Sequence, residues 1–461
     1  MAKVYTVGET KIRPGIYQRF SNIGGTLAAG ALNGVNAIVT NAAWGPVGVV
    51  TVHETAKSIR DTYGDDAMTK SAIEIMSGGA SKVYIYRPAG TGAAAGTATV
   101  GEVLTVTAKY PGARALKVKT QLKAGSTTEK QLIVFEGTTM LETFTFAVNE
   151  TDETEAVIEA TAKSAFITVT KKGAGIVAPA EVELAGGANA TLATKDYSDG
   201  FYALESYAYN VLSTDTTDTA VNAILVEYVT EAYKTGKLIM GVIGAPTTTD
   251  FATRLSTAKA FNNKQIVYFG SGWKDTTGAT VEGAAAINRV AGIIAATPAN
   301  QGITHTSISG AMENIEVLTN AQYESAIQSG LLLLSTGPDG EVWFDAAVNT
   351  LTNCSAVEDE GWKKIRRVKT RFEVMDRIDR TLAPKVGKIN CDNDGIAYVI
   401  QSALGVISDM ISEKKLSAGT FYEDPDSPHA GDSAWFIIEV DDNDSLEKIY
   451  LHYQFRYSAN V

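Results

Sequence analysis

Lys82-Val83-Tyr84-Ile85-Tyr86-Arg87-Pro88-Ala89-Gly90-Thr91-Gly92-Ala93-Ala94-Ala95-Gly96 is the stretch at which the chain changes character. Residues 82–87 have the β-branched and aromatic content of a strand. Pro88 stops it, and the Gly/Ala run behind it has the composition of a flexible linker. Upstream the pattern is α/β. Residues 36–40 read as a strand, 42–48 as a loop, 54–63 and 67–77 as helices, and Gly78-Gly79 as a helix stop. Downstream, from Thr97 to about Leu184, apolar residues return at every second position. Residues 103–108, 116–122, 131–136, 140–148 and 166–171 read as strands, and only 153–163 looks helical.

Leu184-Ala185-Gly186-Gly187 closes that segment, and strand–helix alternation resumes. Helices are expected at 220–235, 251–262 and 281–296, strands at 238–243 and 265–269, and a hairpin of 331–335 with 342–346. The segment before Pro88 is expected to join the sheet built after Gly187. The last third changes again: 362–382 and 395–415 read as helices, followed by a hairpin of 434–440 with 448–457 around Asp441-Asp442-Asn443-Asp444. The fold class is therefore a multi-domain α/β and β chain. A central α/β body is interrupted by a β-sandwich-like insertion and followed by a C-terminal α+β domain with extended terminal arms. The expected divisions are an N-terminal arm (1–25), the first part of the body (26–90), the inserted β-domain (91–187), the central α/β domain (188–352) and a C-terminal assembly domain (353–461).

Composition excludes several classes. The 461 residues hold 40 Lys+Arg against 52 Asp+Glu, a net charge of −12, with 45% hydrophobic and 20% charged residues. Those fractions are globular, and the length suits about three domains. Phosphate affinity comes from Lys and Arg, so a net acidic chain is not a general nucleic-acid binder. Cys354 and Cys391 cannot build a disulfide framework, and no Cys/His spacing suits zinc. Residues 1–14 contain no apolar signal core. The apolar runs 290–296 and 331–334 fall far short of the ~20 residues that span a bilayer. The expectation is a soluble protein made in a reducing cytoplasm, with no membrane insertion.

The search for chemistry is largely negative. Residues 90–95 fit the loose dinucleotide pattern, but a helix must follow such a turn and here a strand does. Thr235-Gly236-Lys237 ends like a phosphate loop, yet Glu231 stands where its first glycine is needed. The single Ser/His cluster is His305 with Ser307 and Ser309, in a chain with no Gly-x-Ser-x-Gly elbow. It supports the rival function, a soluble α/β hydrolase, against the plainer reading of a polar loop. Asp392-Asn393-Asp394-Gly395 and Asp441–Asp444 lack the ligand spacing and closing Glu of a calcium loop. They read as a helix cap and a hairpin turn. No catalytic, cofactor or metal residue is assigned.

Two features rise above background. In the last strand Ile449, Leu451, Tyr453, Phe455 and Tyr457 share one face, and Tyr450, His452, Gln454 and Arg456 the other. Such a strand completes its own sheet or is donated to a neighbour's sheet edge. Second, residues 363–380 hold eight cations, among them Lys363, Lys364, Arg366, Arg367, Lys369 and Arg371, against three acids. That run is either a solvated helix face or a binding face for an acidic surface.

The order of parts resembles the tail sheath proteins of contractile phages, in the branch of Gram-positive hosts and their defective prophages. Arg13-Pro14-Gly15-Ile16-Tyr17 is similar to that family's opening. Tyr110-Pro111-Gly112 with Leu116-Lys117-Val118 is similar to a pattern in its β-domain, and Leu184–Gly187 to the start of its central domain. Residues 362–380 and the final strands resemble its C-terminal domain. The resemblance implies a homo-oligomer of stacked six-fold rings or a helix around an inner tail tube, contracting to drive the tube through a target envelope. It implies baseplate and tail terminator proteins as further partners. The place implied is a virion tail, or a phage-tail-like particle such as a bacteriocin, assembled in the host cytoplasm. The family's central domain is subtilisin-like in fold, but the protease motifs are missing from this sequence, so no proteolysis is implied. The family exchanges terminal strands between subunits. The candidates here are Val4, Tyr5, Val7, Ile16, Tyr17 and Phe20 of one arm, and Ile449, Leu451, Tyr453, Phe455 and Tyr457 of the other. The six cations from Lys363 to Arg371 are the candidate inner-tube contact.

Overall fold

The computed structural model describes residues 33–456, which form two compact units: residues 33–371 with 443–456, and residues 372–442. The N-terminal arm candidates Val4, Tyr5, Val7, Ile16, Tyr17 and Phe20, and Tyr457 of the last strand, lie outside the described residues.

The larger unit is organised by a seven-stranded sheet. Its spatial order is Leu331–Leu332, Ile266–Phe269, Met240–Gly244, Val211–Thr214, Val35–Val39, Lys82–Tyr86 and Val50–His53. All neighbours are parallel except the edge strand Val50–His53. Parallel strands covered on both faces must be apolar throughout, and Val35–Val39, Met240–Gly244 and Ile266–Phe269 are buried at every position. Val35–Val39 pairs directly with Val211–Thr214, so the segment before Pro88 and the segment after Gly187 build one sheet. Aspartates start the connecting helices: Asp66 accepts from the amides of Met68 and Thr69, and Asp218 from those of Ala220 and Val221. Each satisfies amides that the first helical turn leaves without partners.

Several elements of this body were not foreseen, among them the strand Val50–His53 and the helix Asn320–Ser329, and two have a plain reason. The helix Thr194–Ala203 lacks a side-chain cap bond from Ala193, and Val211–Thr214 is a four-residue buried strand too short to show a period. The expected hairpin is also divided. Leu331–Leu332 joins the main sheet, and Leu334–Thr336 pairs antiparallel with Val342–Phe344.

The inserted segment forms two antiparallel sheets. One orders Ala180–Glu183, Leu116–Leu122, Glu129–Glu136 and Thr139–Ala147; the other Thr97–Val100, Leu104–Ala108 and Ile167–Lys171. The period-two pattern supplies the core between them: Leu104, Val106, Leu116, Val118, Leu132, Val134, Phe146 and Ile167, with Val157 from the helix Thr154–Thr161. One charge is buried there with its partner. Lys130 Nζ lies 2.8 Å from Glu153 Oε2 and donates to the Val177 carbonyl, while the Val177 amide donates to the same carboxylate. Full satisfaction is what makes a buried pair tolerable.

The Gly/Ala run is not a loose linker, and that expectation is corrected. Its amides and carbonyls pair with the returning chain, Thr91 with Thr191, Ala94 with Ala188 and Thr97 with Ala185, at 2.8–3.0 Å. The reason is proximity: both connections leave the body at one place, and each supplies the partners that the other's backbone requires. The two glycine motifs meet there. A Cβ on Gly112, at φ +148°, would sit 1.6 Å from the Ala43 carbonyl oxygen, and one on Gly187 2.4 Å from that of Gly112. Arg87, buried at the end of its strand, donates to the carbonyls of Gly45 and Pro111 at 2.7 Å each. The Trp44 ring meets Tyr110 edge-on at 5.3 Å. Insert and body are thus clasped by backbone contact.

The smaller unit packs the helix Asn393–Ser412 and the last turns of the helix Ile365–Leu382 against an antiparallel pair, Leu416–Glu423 with Phe436–Asp442. Its core is Val374, Ile378, Ala403, Val406, Ile407, Met410, Leu416 and Phe421, with Phe436 stacked on Phe421 at 5.1 Å. Asn393–Ser412, at 20 residues and mean hydropathy 1.3, is by length and composition long and apolar enough to cross a membrane. No single apolar run reveals this, because polar residues interrupt it. Here its apolar face is spent on the core just described.

Gly112→Ala is expected to lower unfolding stability by at least about 2 kcal/mol, since backbone, not a flexible side chain, stands in the way. Urea melts of the full chain measure it, with Gly125→Ala, where the added carbon meets nothing within 4 Å, as a comparison for left-handed strain alone.

Candidate assembly site

The expected terminal hairpin does not form. Phe436–Asp442 pairs with Leu416–Glu423, and no described residue after Asp442 belongs to a strand. Three forces set the pairing. Phe421 and Phe436 stack, Leu416 and Phe421 bury against the helix Asn393–Ser412, and the ladder continues through seven residue pairs from Leu416 to Glu423. Leu416–Glu423, with sequence Leu-Ser-Ala-Gly-Thr-Phe-Tyr-Glu, was missed because Ser, Ala and Gly carry little strand signal. Asp441 and Asp442 lie inside the strand Phe436–Asp442 rather than in a turn. Among the described residues neither strand of this pair has a second neighbour.

The tail that follows keeps the alternation read from its sequence at residues 452–455, with no strand partner among the described residues. Tyr453 and Phe455 stack at 6.2 Å on one face, and His452 and Gln454 approach to 3.2 Å on the other. Ile449, Leu451, Tyr453 and Phe455 are 68–92% exposed. Large apolar side chains displayed this way on an extended chain mark a surface meant to be covered. Of the sequence's arm candidates the structure thus brings Tyr453 and Phe455 together.

The basic run is engaged within the chain. None of its eight cations is exposed. Lys363 pairs with Glu360 at 2.8 Å. Lys364 bridges Asp444 at 2.7 Å and Glu447 at 3.0 Å. Arg366 donates to Ser445 Oγ at 2.9 Å. Lys369 donates to the carbonyls of Ile294 and Thr297 beyond the helix Gly283–Ala296. Arg371 pairs with Asp359 at 2.9 Å and lies over the Trp362 ring at 4.5 Å. Within the smaller unit Arg377 and Lys415 bind Glu373 and Glu413 in a four-membered cluster with contacts of 2.5–2.7 Å. Arg380 pairs with Asp376 at 2.9 Å.

The hydrolase constellation is not assembled. The His305 ring lies flat on Trp343, with centroids 4.2 Å apart, and the backbone at His305 is left-handed at φ +56°. Among the described residues no hydrogen bond joins it to Ser307 or Ser309. Within the stretch read as a helix cap, it is Asp392 that caps, accepting from the Gly395 amide at 2.8 Å.

Residues 190–350 match the family model of the phage tail sheath protein central domain. Over that segment the chain is similar to a tail sheath central domain. Its fold extends the likeness well beyond that segment. The sheath tail protein of Desulfitobacterium hafniense is 19% identical with a TM-score of 0.74, covering 93% of this chain and 100% of that one. The sheath tail protein of Listeria innocua is 16% identical with a TM-score of 0.66, covering 90% and 97%. The helical sheath of the anti-feeding prophage in its contracted state is 10% identical with a TM-score of 0.53, covering 97% and 99%. No curated protein sequence matches the chain. The mixed α/β, multi-domain architecture of this chain is the one those proteins share.

The ion cluster of the smaller unit gives a pH test. Hydrogen bonds from Arg377, then from Lys415, hold the Glu413 carboxyl down to about 2 against the burial that opposes them. A depressed carboxylate stabilises above its unfolded value of about 4.5 and loses that stabilisation as pH falls through about 2. Glu413→Gln is expected to cost about 1 kcal/mol at pH 7, once solvent screening of this part-exposed group is allowed for. It is also expected to flatten the stability profile between about pH 4.5 and 2, read from thermal melts across that range.

Proposed function

We propose that this chain is the structural subunit of a contractile tail sheath, with no catalytic role. Copies polymerise as stacked six-fold rings or a helix around an inner tail tube and contract to drive the tube through a target envelope. The observation that carries the reading is the exposed tail at 449–456, in a chain whose C-terminal strand pair has no outer neighbour among the described residues. A strand from one copy laid along the edge of another gains main-chain ladder bonds for affinity and alternate side-chain contacts for register. Burying Ile449, Leu451, Tyr453 and Phe455 is worth on the order of 8 kcal/mol gross, at ~1.5–3 each. The accepting pair is Leu416–Glu423 with Phe436–Asp442, in place of the hairpin read from the sequence.

In this assembly the arm at 1–25 is the second exchanged strand, through Val4, Tyr5, Val7, Ile16, Tyr17 and Phe20. The insert at 91–187 faces outward, the body at 26–90 with 188–352 is a subtilisin-like scaffold used without its chemistry, and 353–461 is the assembly domain. Subunits then rotate and slide as rigid bodies while the chain links persist. Baseplate and tail terminator proteins bound the tube at its ends, in a virion tail or phage-tail-like particle assembled in the host cytoplasm. The inner-tube contact remains with the basic run, and its internal pairing narrows it. Lys363, whose one partner Glu360 is exposed, keeps 29% of its side chain exposed, against 13% for Arg371.

Removing residues 449–461 is expected to leave folded, unassembled subunits. Negative-stain micrographs showing striated cylinders of normal length from that deletion would overturn the arm reading. Lys363→Glu leaves the body's packing intact, because its partner Glu360 is itself 81% exposed. It is expected to give sheaths that assemble but retain little tube after sedimentation. Unchanged tube retention refutes the contact.

A further inference from the structure

The tail does not simply hang from the strand Phe436–Asp442. Between strand and exposed segment, residues 444–447 are tied to the body at four points. Lys364 Nζ is shared by Asp444 and Glu447, at 2.7 and 3.0 Å. Thr304 Oγ1 donates to the other oxygen of Glu447 at 3.2 Å. Arg366, nearly fully buried, donates to Ser445 Oγ at 2.9 Å. A side chain on Gly302 would strike Ser445 Oγ at 2.8 Å, so the backbone there is shaped to admit that hydroxyl. Arg366 and Lys369 are set by the same helix, whose Thr370 hydroxyl donates to the Ala299 carbonyl and whose Lys369 holds the Ile294 and Thr297 carbonyls. From Lys448 onward every described residue is exposed.

We propose that Lys364 and Arg366 are positioning residues forming a latch on the root of the C-terminal arm. The latch fixes the point from which a donated strand leaves its own subunit. This rests on the strand-donation reading above and goes beyond it by assigning part of the basic run to the subunit itself. The physical argument is one of effective concentration. A strand of nine residues reaches about 30 Å, and a fixed root confines that reach to one neighbouring edge, whereas a free root spreads the same strand over a larger volume and weakens capture without loss of any contact. Ion pairs that are part-buried and doubly acidic suit this task, because they hold one geometry yet contribute little to the fold of the body.

Trypsin supplies an internal ruler. Lys448 adjoins the latch and Arg456 lies eight residues beyond it, and both are exposed. A protease must draw residues on both sides of a bond into its cleft, so cleavage after Lys448 requires the latch to open, and cleavage after Arg456 does not. In the unassembled full chain, Lys364→Met is expected to speed cleavage after Lys448 about tenfold, with cleavage after Arg456 unchanged, both read by mass spectrometry of the released peptides. Asp444→Asn with Glu447→Gln, which leaves the body untouched, is expected to give the same rise, and the combined variant no more than either. Unchanged cleavage after Lys448 in both variants overturns the latch. Faster cleavage with sheaths of normal length and regularity overturns its positioning role. Loss of assembly on removing 449–461, alongside normal sheaths from the latch variants, keeps strand donation and rejects the latch. Normal sheaths from that removal reject strand donation while the cleavage result still reports the latch.

Discussion

A strand that leaves water must find partners for its N–H and C=O groups, and how each part of this chain meets that demand decides what it is for. In the body the demand is met inside. The strands at the two edges of the main sheet are short, two residues at Leu331–Leu332 and four at Val50–His53, which limits the template offered to other chains. The insert's two connections satisfy one another across Thr91, Ala94 and Thr97. The C-terminal pair is built the opposite way. Its strands run eight and seven residues, and among the described residues neither has an outer neighbour. Long open edges are a liability in a monomer and an asset in a polymer.

The sequence was most legible where local pattern and burial coincide. In the insert, Leu104, Val106, Leu116 and Val118 alternate with polar neighbours, and the alternation alone places them in a core. Val211–Thr214 hides because a fully buried four-residue strand has no period to read. Leu416–Glu423 hides because its core contacts come from two residues, Leu416 and Phe421, while Ser417, Ala418 and Gly419 between them are weak strand formers. The tail residues were legible as a strand with two faces, but alternation states which side chains share a face and is silent about which edge the strand meets. Pairing the tail with its nearest strand in sequence was the natural error. The stacked pair Phe421 and Phe436 decided otherwise.

Charge shows the same limit of local reading. Counted along the chain, residues 363–380 are a basic patch. In space the patch is neutralised, partly by neighbours such as Glu360 and Asp376 and partly by Asp444, Glu447 and Glu413, which lie 36 to 83 positions from their partners in sequence. Those acids belong to segments that the sequence reading had given to a hairpin turn and a helix end. A cluster of one sign therefore locates a demand for counter-charge and leaves open whether a partner or the chain itself supplies it.

The clasp at Gly112 and Gly187 bears on how displacement is transmitted. A composition of Gly and Ala suggests compliance, yet here glycine does the reverse: it lets backbones approach until no side chain fits between them, and the Arg87 guanidinium then ties Gly45 to Pro111 across the gap. An insert held by paired backbone moves with its body, since any hinge would first break the ladder between residues 91–97 and 185–191. In the proposed sheath, a stiff connection there would leave the adjustment between copies to the exposed segment after Glu447. Extended, single-stranded chain can change direction at little cost, whereas its register on a neighbour's edge, once side chains are seated, resists change. Stiff bodies linked by fixed-register strands on pliable leads keep their neighbours through a rearrangement.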